Sequence, residues 1–465
     1  MRIALFTPVN PVRSALCDHI EGLLPYLAER LDITVVTKGD YCPTHPMFHP
    51  GHPHYIPWID YKTFKRQAEA FDLIIYQLGD EANIHGYMFD ALHRWPGMVF
   101  LHDLVLHHAI VGLTLARGDI DGYIAELRYC YGNEGERIAQ EVIAGRGDML
   151  MFQYPVVKRV LDSSLAIVGF NRYMCAQVQH IQPDTPVRYI PYHFYLPEGF
   201  PIDFDGAAFR RKLGLSEKPV LASFGFFIPD KRLSLVLSAY KRLLKRHPDA
   251  VYMLVGGWSP YYDLEGELAK VGLAGRVRLT GWQAPVPFVQ YMHVPDVAIH
   301  LRYPHIGGTL YTPIRLLGLG IPTITSDIEP LAELPSDAVV RITPNNADEE
   351  EMLTAAMDYL LTRRDVAAAM AERGRRYIAR EHDRTTIVEQ YIEYIYQVAA
   401  EKDALTARVR TRMESSSESL ASQGMMRAVG QALAALRVPS DSIWLRPVAK
   451  AIADLTNRSI LGQPR

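Results

Sequence analysis

The clearest chemical signal lies in the segment FGFFIPDKR, where Gly225 ends an apolar run and Lys231 and Arg232 precede a helical pattern. A cation at the start of a helix opposes the helix dipole, so it needs a compensating anion. Backbone N–H groups at a helix N-terminus and a lysine together suit a diphosphate. We therefore favour an anion site over the alternative, a solvated basic turn.

A second segment, HLRYPHIGGTLYTPIRLLGLG, has the same pattern of strand, loop and short helix. Residues 307–309 contain two adjacent glycines, which let a ligand approach the backbone closely. Pro313 suits the first turn of a helix and Gly320 suits its end. Paired glycines are common in turns and are weak evidence alone. Beside Lys231 they predict a shared phosphate cradle.

The segment LHDLVLHHAI places His102 and Asp103 at the end of a predicted strand, where polar side chains face a crevice. His102 could donate a hydrogen bond or transfer a proton, and Asp103 could orient it or bind hydroxyl groups. His107 and His108 are interpreted as helix-surface or packing residues. Because no spacing such as HExxH accompanies these histidines, we expect no catalytic metal.

Two more loops follow predicted strands in the N-terminal half. In the first, Ser14 can cap a helix that presents three leucines on one face. In the second, QLGDEANIHGYMF, the polar residues could contact an acceptor molecule or cap a helix, and both alternatives stay open. The candidate acceptor-contacting residues are Asn10, Arg13, Ser14, Asp80 and His85.

These loops need strands and helices to position them. Short apolar runs, typical of strands, alternate along the chain with amphipathic stretches, typical of helices. This alternation is typical of parallel sheets covered by helices, in which ligands bind beyond the carboxyl ends of the strands. We predict an α/β fold with two Rossmann-like sheets that face an interdomain cleft. The predicted strands cover residues 3–7, 33–37, 73–76, 98–101, 165–168, 220–224, 251–255, 277–280, 297–300 and 323–325.

Domain boundaries follow from composition. Residues 190–205 are rich in proline and aromatic residues, and they are predicted to connect an N-terminal domain, 1–199, to a C-terminal domain, 200–402. Residues 349–402 are helical by periodicity, and we expect them to pack on the second domain, with a return to the first left open. Residues 403–465 are predicted to form a helical tail, with a Ser-rich break and amphipathic stretches at 425–436 and 443–455. A surface appendage or oligomer contact is favoured over a docking segment.

The composition excludes several classes of protein. The 465 residues carry a formal net charge of −3 with dispersed basic residues, which does not favour a nucleic-acid partner. The four cysteines form no CxxC pair, so a zinc ribbon or disulfide framework is disfavoured and a reducing cytoplasm fits.

The N-terminus lacks the apolar core of a signal peptide. Apolar runs fall short of the roughly 18 residues that span a bilayer, so membrane contact would be peripheral. A Rossmann oxidoreductase is disfavoured because no GxGxxG follows the first strand.

Over roughly residues 1–400 the chain resembles glycosyltransferase family 4, a group of retaining enzymes with the GT-B fold. The stretch SALCDHIEGLLPYLAER is similar to the family's SGIADYSxELLPxLA loop and helix, and QLGDEANIHGYMF to its QLGNxxxH pattern. LHDLVLHH is close to the family's strand-end HD motif, and FGFFIPDKR to the form FGFIxxxKR. TGW and LRYP match the strand ends that precede the nucleotide loop.

The resemblance implies transfer, with retained anomeric configuration, from a nucleotide-diphosphate sugar to a glycan or other hydroxyl acceptor, without a metal ion or other cofactor. The N-terminal domain would bind the acceptor and the C-terminal domain the donor. His102, Asp103 and Lys231 would be catalytic, with Lys231 neutralising the leaving diphosphate. Residues 281–285 would lie beside the base. The residues implied to contact the donor are Gly225, Phe226, Lys231, Arg232, Trp282, His305, Gly307, Gly308, Thr309, Leu310 and Arg315.

Two departures from the family pattern affect the expected donor site. The Glu-x7-Glu pair is absent, since Gly307, Gly308 and Arg315 stand at the equivalent positions, and Phe226 replaces the arginine that often follows the phosphate-loop glycine. In most relatives the first glutamate holds sugar hydroxyls and the second holds the ribose. Donor contacts must therefore differ here, or activity is lost.

We expect a glycosyltransferase of polysaccharide or glycoconjugate biosynthesis. The alternative is a catalytically silent GT-B protein that binds a nucleotide or glycan and acts as an assembly partner. The expected location is the cytoplasm. Contacts with the inner face of the membrane, with a multi-enzyme assembly, or between copies through the C-terminal tail stay open.

Overall fold

The computed structural model describes residues 1–416, which form two open parallel sheets covered by helices. The strands are β1 (Arg2–Phe6), β2 (Asp32–Thr37), β3 (Trp58–Asp60), β4 (Leu73–Leu78), β5 (Gly97–Leu101), β6 (Ser164–Gly169), β7 (Val187–Tyr189), β8 (Val220–Phe224), β9 (Val251–Val255), β10 (Val277–Leu279), β11 (Val297–His300), β12 (Thr323–Ser326) and β13 (Val339–Ile342). The first sheet has the order β3-β2-β1-β4-β5-β6-β7, and the second has the order β10-β9-β8-β11-β12-β13. The two Rossmann-like sheets predicted from the sequence are thus both present.

The helices occupy the connections between strands and cover both sheets. They are α1 (Ala15–Ala28), α2 (Tyr61–Gln67), α3 (Ala82–Arg94), α4 (His107–Leu113), α5 (Ile120–Ile143), α6 (Leu150–Gln153), α7 (Lys158–Ser163), α8 (Arg172–Ile181), α9 (Gly206–Lys212), α10 (Leu233–Leu243), α11 (Leu264–Val271), α12 (Pro285–Met292), α13 (Tyr311–Gly318), α14 (Glu329–Ala332), α15 (Glu349–Thr362), α16 (Arg364–Glu381) and α17 (Arg384–Ala400).

Burial explains which strands the sequence predicted. All ten predicted strands are present, because each carries an apolar run that a covered sheet requires. The three unpredicted strands, β3, β7 and β13, are sheet edges of three or four residues. Half-buried edge strands need fewer apolar residues, so β3 and β7 in particular lack the pattern that marks a central strand.

Local signals placed two features correctly. The Ser14 hydroxyl accepts a hydrogen bond from the N–H of Leu16 at 3.2 Å and caps α1, whose leucines are buried. Residues 190–205 contain neither helix nor strand and join the two sheets.

The helices of residues 1–416 include none whose length and apolar character would suit a membrane span.

The last helices divide between the two domains. α15 packs on α10 and α16 on α13, as expected for the second domain, whereas α17 packs on α1 of the first domain. The Tyr391 ring in α17 stacks on Phe100 of β5 at 5.0 Å, and the Lys402 ammonium donates to the Asp72 carbonyl at 2.6 Å. The chain therefore does return to the first domain.

The first part of the predicted tail also packs on the first domain. Residues 402–416 are helical, and Leu405 and Val409 are buried in the core of the first domain. The stretches predicted at 425–436 and 443–455 lie outside the described residues.

Candidate functional site

The order of strands brings four loops to one place. In each sheet the strand order grows outward in opposite directions from two neighbouring central strands. These are β1 and β4 in the first sheet and β8 and β11 in the second. Loops beyond the carboxyl ends of such strand pairs diverge and leave a crevice for ligands. Residues 225–232 follow β8 and residues 301–310 follow β11, so both predicted phosphate loops lie at this switch point.

Lys231 occupies the centre of the first loop. It closes a short 3-10 turn, Pro229–Lys231, and its ammonium donates to the Phe224 carbonyl at 2.7 Å. Gly225 has φ +104, and a side chain there would lie 2.7 Å from the Lys231 nitrogen, so only glycine fits. Burial, with help from the cation Arg302, lowers the pKa of Lys231 to about 7, against the raising effect of Asp230.

Arg302 supplies a second cation to this loop. It follows β11, and its guanidinium donates to the Asp230 carboxylate at 2.8 Å, with both side chains mostly buried. The N–H of Tyr303 donates to the carbonyl of Asp230 at 2.8 Å, which ties the two phosphate loops together. The sequence pointed to LRYP as a strand end but did not single out Arg302.

The first domain contributes two carboxylates and a histidine that face the same cleft. The Asp80 carboxylate accepts from the His108 ring at 2.7 Å and from the N–H of Ala109 at 2.8 Å, and the Asp103 carboxylate accepts from the N–H of Asp80 at 3.0 Å. Burial raises the pKa of Asp103 to about 6. The pKa of His108 is raised because the pull of Asp80, with smaller contributions from Asp230 and Asp103, exceeds the opposing effect of burial.

The two histidines at the start of α4 make different contacts. His107 is a packing residue, as interpreted: its ring bonds the Tyr154 carbonyl at 2.9 Å and the Tyr123 hydroxyl at 2.7 Å. His108 is about one-third exposed on the surface of α4, and its ring contacts Asp80. The sequence did not predict this pairing, because Asp80 lies on another loop.

His102 lies at the end of β5, as predicted, but under the site surface. One ring nitrogen bonds the Tyr192 hydroxyl at 2.6 Å, the other bonds the side-chain oxygen of Gln77, and the ring stacks on Phe170 at 4.6 Å. Burial holds the pKa of His102 well below its ordinary value, so the ring is neutral. His85 is similarly buried, with its ring bonded to the Gln77 carbonyl at 3.0 Å and its pKa lowered to about 4 by burial.

The glycine loop of the second domain docks on the first domain. The Ile306 carbonyl accepts from the N–H groups of Leu104 at 3.0 Å and Val105 at 2.9 Å. The Asn171 amide donates to the Gly307 carbonyl at 3.1 Å and to the Thr309 hydroxyl at 2.9 Å. The two domains are thus joined by backbone contacts at the cleft.

Gly308 makes this docking possible. A side chain at Gly308 would overlap the Asp103 carboxylate and lie 2.5 Å from the His102 carbonyl oxygen. Gly307 has φ +73, a conformation that favours glycine, and its N–H donates to the His305 ring at 3.1 Å. The other ring nitrogen of His305 lies 2.9 Å from Glu329, and burial lowers the pKa of His305.

Other expected donor residues divide between the cleft and its flanks. Phe226 and Trp282 are about half exposed, and both approach Gly257. Arg232 forms an ion pair with Glu349 on the flank of the second domain and begins α10. Leu310 begins α13 directly after the docked loop.

Arg315 turns away from the Lys231 loop. It is 4% exposed, and its guanidinium lies 4.7 Å from the Tyr311 ring and 5.1 Å from the Tyr195 ring. Asp18 of the first domain is a nearby opposite charge that contributes to raising the pKa of Arg315.

Two of the expected acceptor residues, Asn10 and Arg13, lie on the loop that follows β1, whereas Asp80 pairs with His108 and His85 is buried. Both the backbone N–H and the amide of Asn10 donate to Glu21, at 2.7 and 2.6 Å, and burial raises the pKa of Glu21 to about 7. Arg13 lies 4.6 Å from the Trp282 ring and so contacts the second domain. A cavity of about 370 Å³ adjoins this loop, lined by Pro8, Pro11, Val12, Lys38, Asp40, Tyr41, Asn83, Ile84 and Tyr87.

Comparison with known proteins connects this geometry to an enzyme class. Residues 205–377, which contain the second sheet, match the family Glycosyl transferases group 1. The alpha-D-kanosaminyltransferase of Streptomyces kanamyceticus is 24% identical over 160 residues, and the match covers 32% of this chain and 39% of that protein.

Solved structures resemble most of the described chain. Anabaena Alr3699/HepE in complex with UDP and glucose has a TM-score of 0.61 at 16% identity, covering 85% of this chain and 100% of that chain. Sucrose-phosphate synthase from Thermosynechococcus elongatus has a TM-score of 0.62 at 16% identity, covering 86% and 99%. WaaG, a glycosyltransferase involved in lipopolysaccharide biosynthesis, has a TM-score of 0.57 at 15% identity, covering 85% and 99%.

The fold is GT-B. The predicted fold class is therefore confirmed. The two GT-B domains contact each other through the loops described above. The match to Glycosyl transferases group 1 lies within the second domain of this fold. Within residues 1–416 of this GT-B chain, no group of three or more His, Cys, Asp or Glu side chains is arranged to hold a metal ion.

Proposed function

We propose that the protein is a retaining glycosyltransferase that moves a sugar from a nucleotide-diphosphate sugar to a glycan or other hydroxyl acceptor, without a metal ion, in polysaccharide or glycoconjugate biosynthesis. Lys231 is the observation that carries the proposal. It lies at the switch point of the second sheet, and within residues 1–416 its ammonium has one hydrogen bond, to a carbonyl. An ammonium group whose pKa is lowered to about 7 in this way gains most from an anionic ligand.

In the proposed reaction, the bond between the anomeric carbon and the diphosphate oxygen breaks, and negative charge collects on that oxygen. Lys231 and the adjacent Arg302 stabilise this charge. The acceptor hydroxyl attacks from the same face, and its proton passes to the departing phosphate. The new glycosidic bond therefore keeps the original anomeric configuration, and the amides of residues 308 and 309 are proposed to contact the diphosphate as the docked loop adjusts.

Asp103 and His102 are proposed to act on the acceptor side. Asp103 touches both domains at the cleft, and its raised pKa lets it accept or donate a hydrogen bond near neutral pH. His102 can reach a substrate only if the substrate replaces Tyr192 or Gln77 as a partner. The cavity lined by Pro8, Pro11 and Val12 is the proposed acceptor site, and the same loop carries Asn10 and Arg13.

The loss of the family's glutamate pair favours a second candidate, a silent GT-B protein that binds a nucleotide or glycan as an assembly partner. Gly307 and Gly308 dock on the first domain rather than presenting carboxylates to a sugar. Arg315 points toward α1 and the interdomain connection. Either candidate would act in the cytoplasm, alone or against a membrane or partner protein.

The test is a donor panel with matched lysine variants. The full chain is incubated with UDP-, GDP-, ADP- and TDP-sugars in the presence of a chelator, and both nucleotide release and binding are measured. We expect one donor class to be turned over, with kcat reduced by about 10²–10³ in Lys231→Ala and unchanged in Lys245→Ala, an exposed lysine. Binding of a donor without turnover, after acceptors have been screened, would favour the silent protein. A product with inverted configuration by NMR would refute retention.

A further inference from the structure

A second group of polar side chains lies between the domains, away from Lys231. We call it the Arg315 cluster: His19 from α1, His193 and Tyr195 from the interdomain connection, and Arg315 from α13. The His19 and His193 rings are 4.8 Å apart, the His193 and Tyr195 rings 5.0 Å, and Arg315 lies 5.1 Å from the Tyr195 ring. All four side chains are buried, with at most 7% of their surface exposed.

Seven buried polar atoms of the Arg315 cluster lack hydrogen-bond partners among residues 1–416. Both ring nitrogens of His19 and of His193, the Tyr195 hydroxyl, and Nε and Nη2 of Arg315 form no hydrogen bond with any described residue. The hydroxyls of Tyr195 and Tyr311 are near enough to raise the pKa of Arg315, but they do not reach hydrogen-bond geometry with Nε or Nη2. An unsatisfied buried polar group costs about 1–3 kcal/mol, and native proteins contain few of them. Seven such atoms in one place indicate that a ligand completes the cluster.

The chemistry of these groups defines the ligand. A guanidinium can only donate hydrogen bonds, and each neutral imidazole and the tyrosine hydroxyl offer one donor more. Burial lowers the pKa of His193 to about 3 and that of His19 well below its ordinary value, so Arg315 is the permanent positive charge of the cluster. The nearby carboxylate of Asp18 forms no ion pair with Arg315 within the described chain, and burial raises the pKa of Asp18. A ligand rich in acceptors and carrying negative charge therefore fits better than water.

The position of the cluster connects it to the proposed acceptor site. His19 lies 6.4 Å from the His102 ring, and α1 also carries Glu21, the partner of Asn10. Because α1 belongs to the first domain and α13 to the second, a small movement of one helix against the other opens the cluster to the cleft.

We propose that the Arg315 cluster binds a small oxyanion, a carboxylate or phosphate, which is either part of the acceptor or free in solution. The resemblance implies a glutamate that holds the ribose at position 315, so the arginine found there reverses the charge and is suited to an anion. Only the acceptor-borne form rests on the proposed transfer reaction, because anion binding can be measured without turnover.

The first experiment measures thermal unfolding of the full chain in sodium phosphate, acetate and chloride at equal pH and ionic strength. Phosphate and acetate should raise Tm above the chloride value in the wild type, in Lys231→Ala and in Arg276→Gln, an exposed arginine. In Arg315→Gln the dissociation constant for phosphate should rise by about tenfold or more, because one charge-assisted hydrogen bond is worth about 1.5–3 kcal/mol.

Two results would overturn the proposal. One is the absence of any phosphate or acetate effect in the wild type. The other is an effect that Lys231→Ala removes and Arg315→Gln keeps, which would assign the anion to the Lys231 loop. If Arg315→Gln does not fold, Asp18→Asn decides instead: removing the nearby carboxylate should strengthen phosphate binding, and unchanged or weaker binding refutes the site.

A second experiment identifies the source of the anion. Acceptors that differ only by a carboxylate or phosphate group are compared in the transfer assay with wild type and Arg315→Lys, which keeps the charge but loses donors. A rise in KM confined to the acidic acceptor assigns the anion to the acceptor. Equal KM values beside a retained phosphate effect on Tm assign it to a free ion. Loss of turnover with every acceptor, while the anion effect on Tm persists, would refute the proposed function and leave the anion site standing.

Discussion

Binding of a nucleoside diphosphate at Lys231 should be coupled to proton uptake. In the free protein, burial lowers the pKa of Lys231 from 10.5 to about 7, so at pH 8.5 this lysine carries a proton in only about 3% of molecules. A diphosphate bound beside the amine favours the charged form and raises its pKa again. Binding at pH 8.5 should therefore take up about one proton per molecule.

The size of the coupling follows from the same pKa. A fall from 10.5 to about 7 corresponds to at most about 5 kcal/mol. The actual contribution is smaller, because the Lys231 side chain is only half-buried by surface area and solvent screens its charge. The unfolded chain holds the proton between pH 7 and 10.5 and the folded free protein does not, so stability of the free protein rises with pH across this window. Above pH 7 a bound diphosphate must offset the free energy needed to protonate Lys231 in the folded protein. Its affinity should therefore weaken as pH rises above 7.

Isothermal titration calorimetry with UDP at pH 8.5, in two buffers of different ionisation enthalpy, measures the uptake directly. Lys231→Met should abolish the uptake, because methionine has a similar length and no titrating group, while Lys245→Ala should keep it. Equal uptake in wild type and Lys231→Met would refute the reasoning, since the proton would then bind another group.

Three further perturbations test the cleft and the core. Gly308→Ala should separate the docked loop from Asp103 and lower the free energy of unfolding by about 1–3 kcal/mol, measured by urea denaturation. Asp80→Asn should lower the pKa of His108 in an NMR titration of the ring protons. In the wild type the ion pair stabilises the fold while both groups are charged, and it is lost as pH rises through the raised pKa of His108 or falls through the pKa of Asp80, which burial raises. A chain ending at residue 402 should lose about 3 kcal/mol or more relative to one ending at 416, because Leu405 and its neighbours leave the core of the first domain.

The two substitutions have matched controls, and the two truncated chains are compared with each other. Gly257→Ala adds a carbon that meets only ordinary contacts of 3.6 Å or more, so it should leave stability within about 1 kcal/mol of wild type. Asp90→Asn, at an exposed position, should leave the His108 titration unchanged. If the chains ending at 402 and 416 unfold at the same urea concentration, residues 403–416 contribute nothing to the core.

The sequence was most informative where one residue type had one physical explanation. A cation before a helix predicted the Lys231 loop, and adjacent glycines predicted a close backbone approach, although the structure shows that Gly308 approaches the first domain itself. The contact between His108 and Asp80, 28 positions apart, was not predicted, because such pairings leave no local pattern. Arg302 was missed for the same reason, since its partner Asp230 lies on another loop.

The Arg315 cluster marks a different limit of sequence reasoning. The absence of the glutamate pair was visible in the sequence, but the position taken up by the arginine was not. Its side chain direction depends on the packing of α13 against Tyr195 and α1, which come from the connection and from the other domain. Contacts between residues this far apart in the sequence leave no local pattern from which the direction of the side chain could be predicted.

The return of α17 to the first domain has a consequence for how the protein is made. Tyr391 and its helix complete the layer over a sheet whose first strand leaves the ribosome almost 400 residues earlier. The second domain, whose sheet spans β8 to β13, emerges whole and can close its core while the first still exposes the apolar face of β5. The domain that is synthesised first is thus the last to be finished, and a nascent chain arrested before residue 384 presents an uncovered sheet to chaperones and proteases.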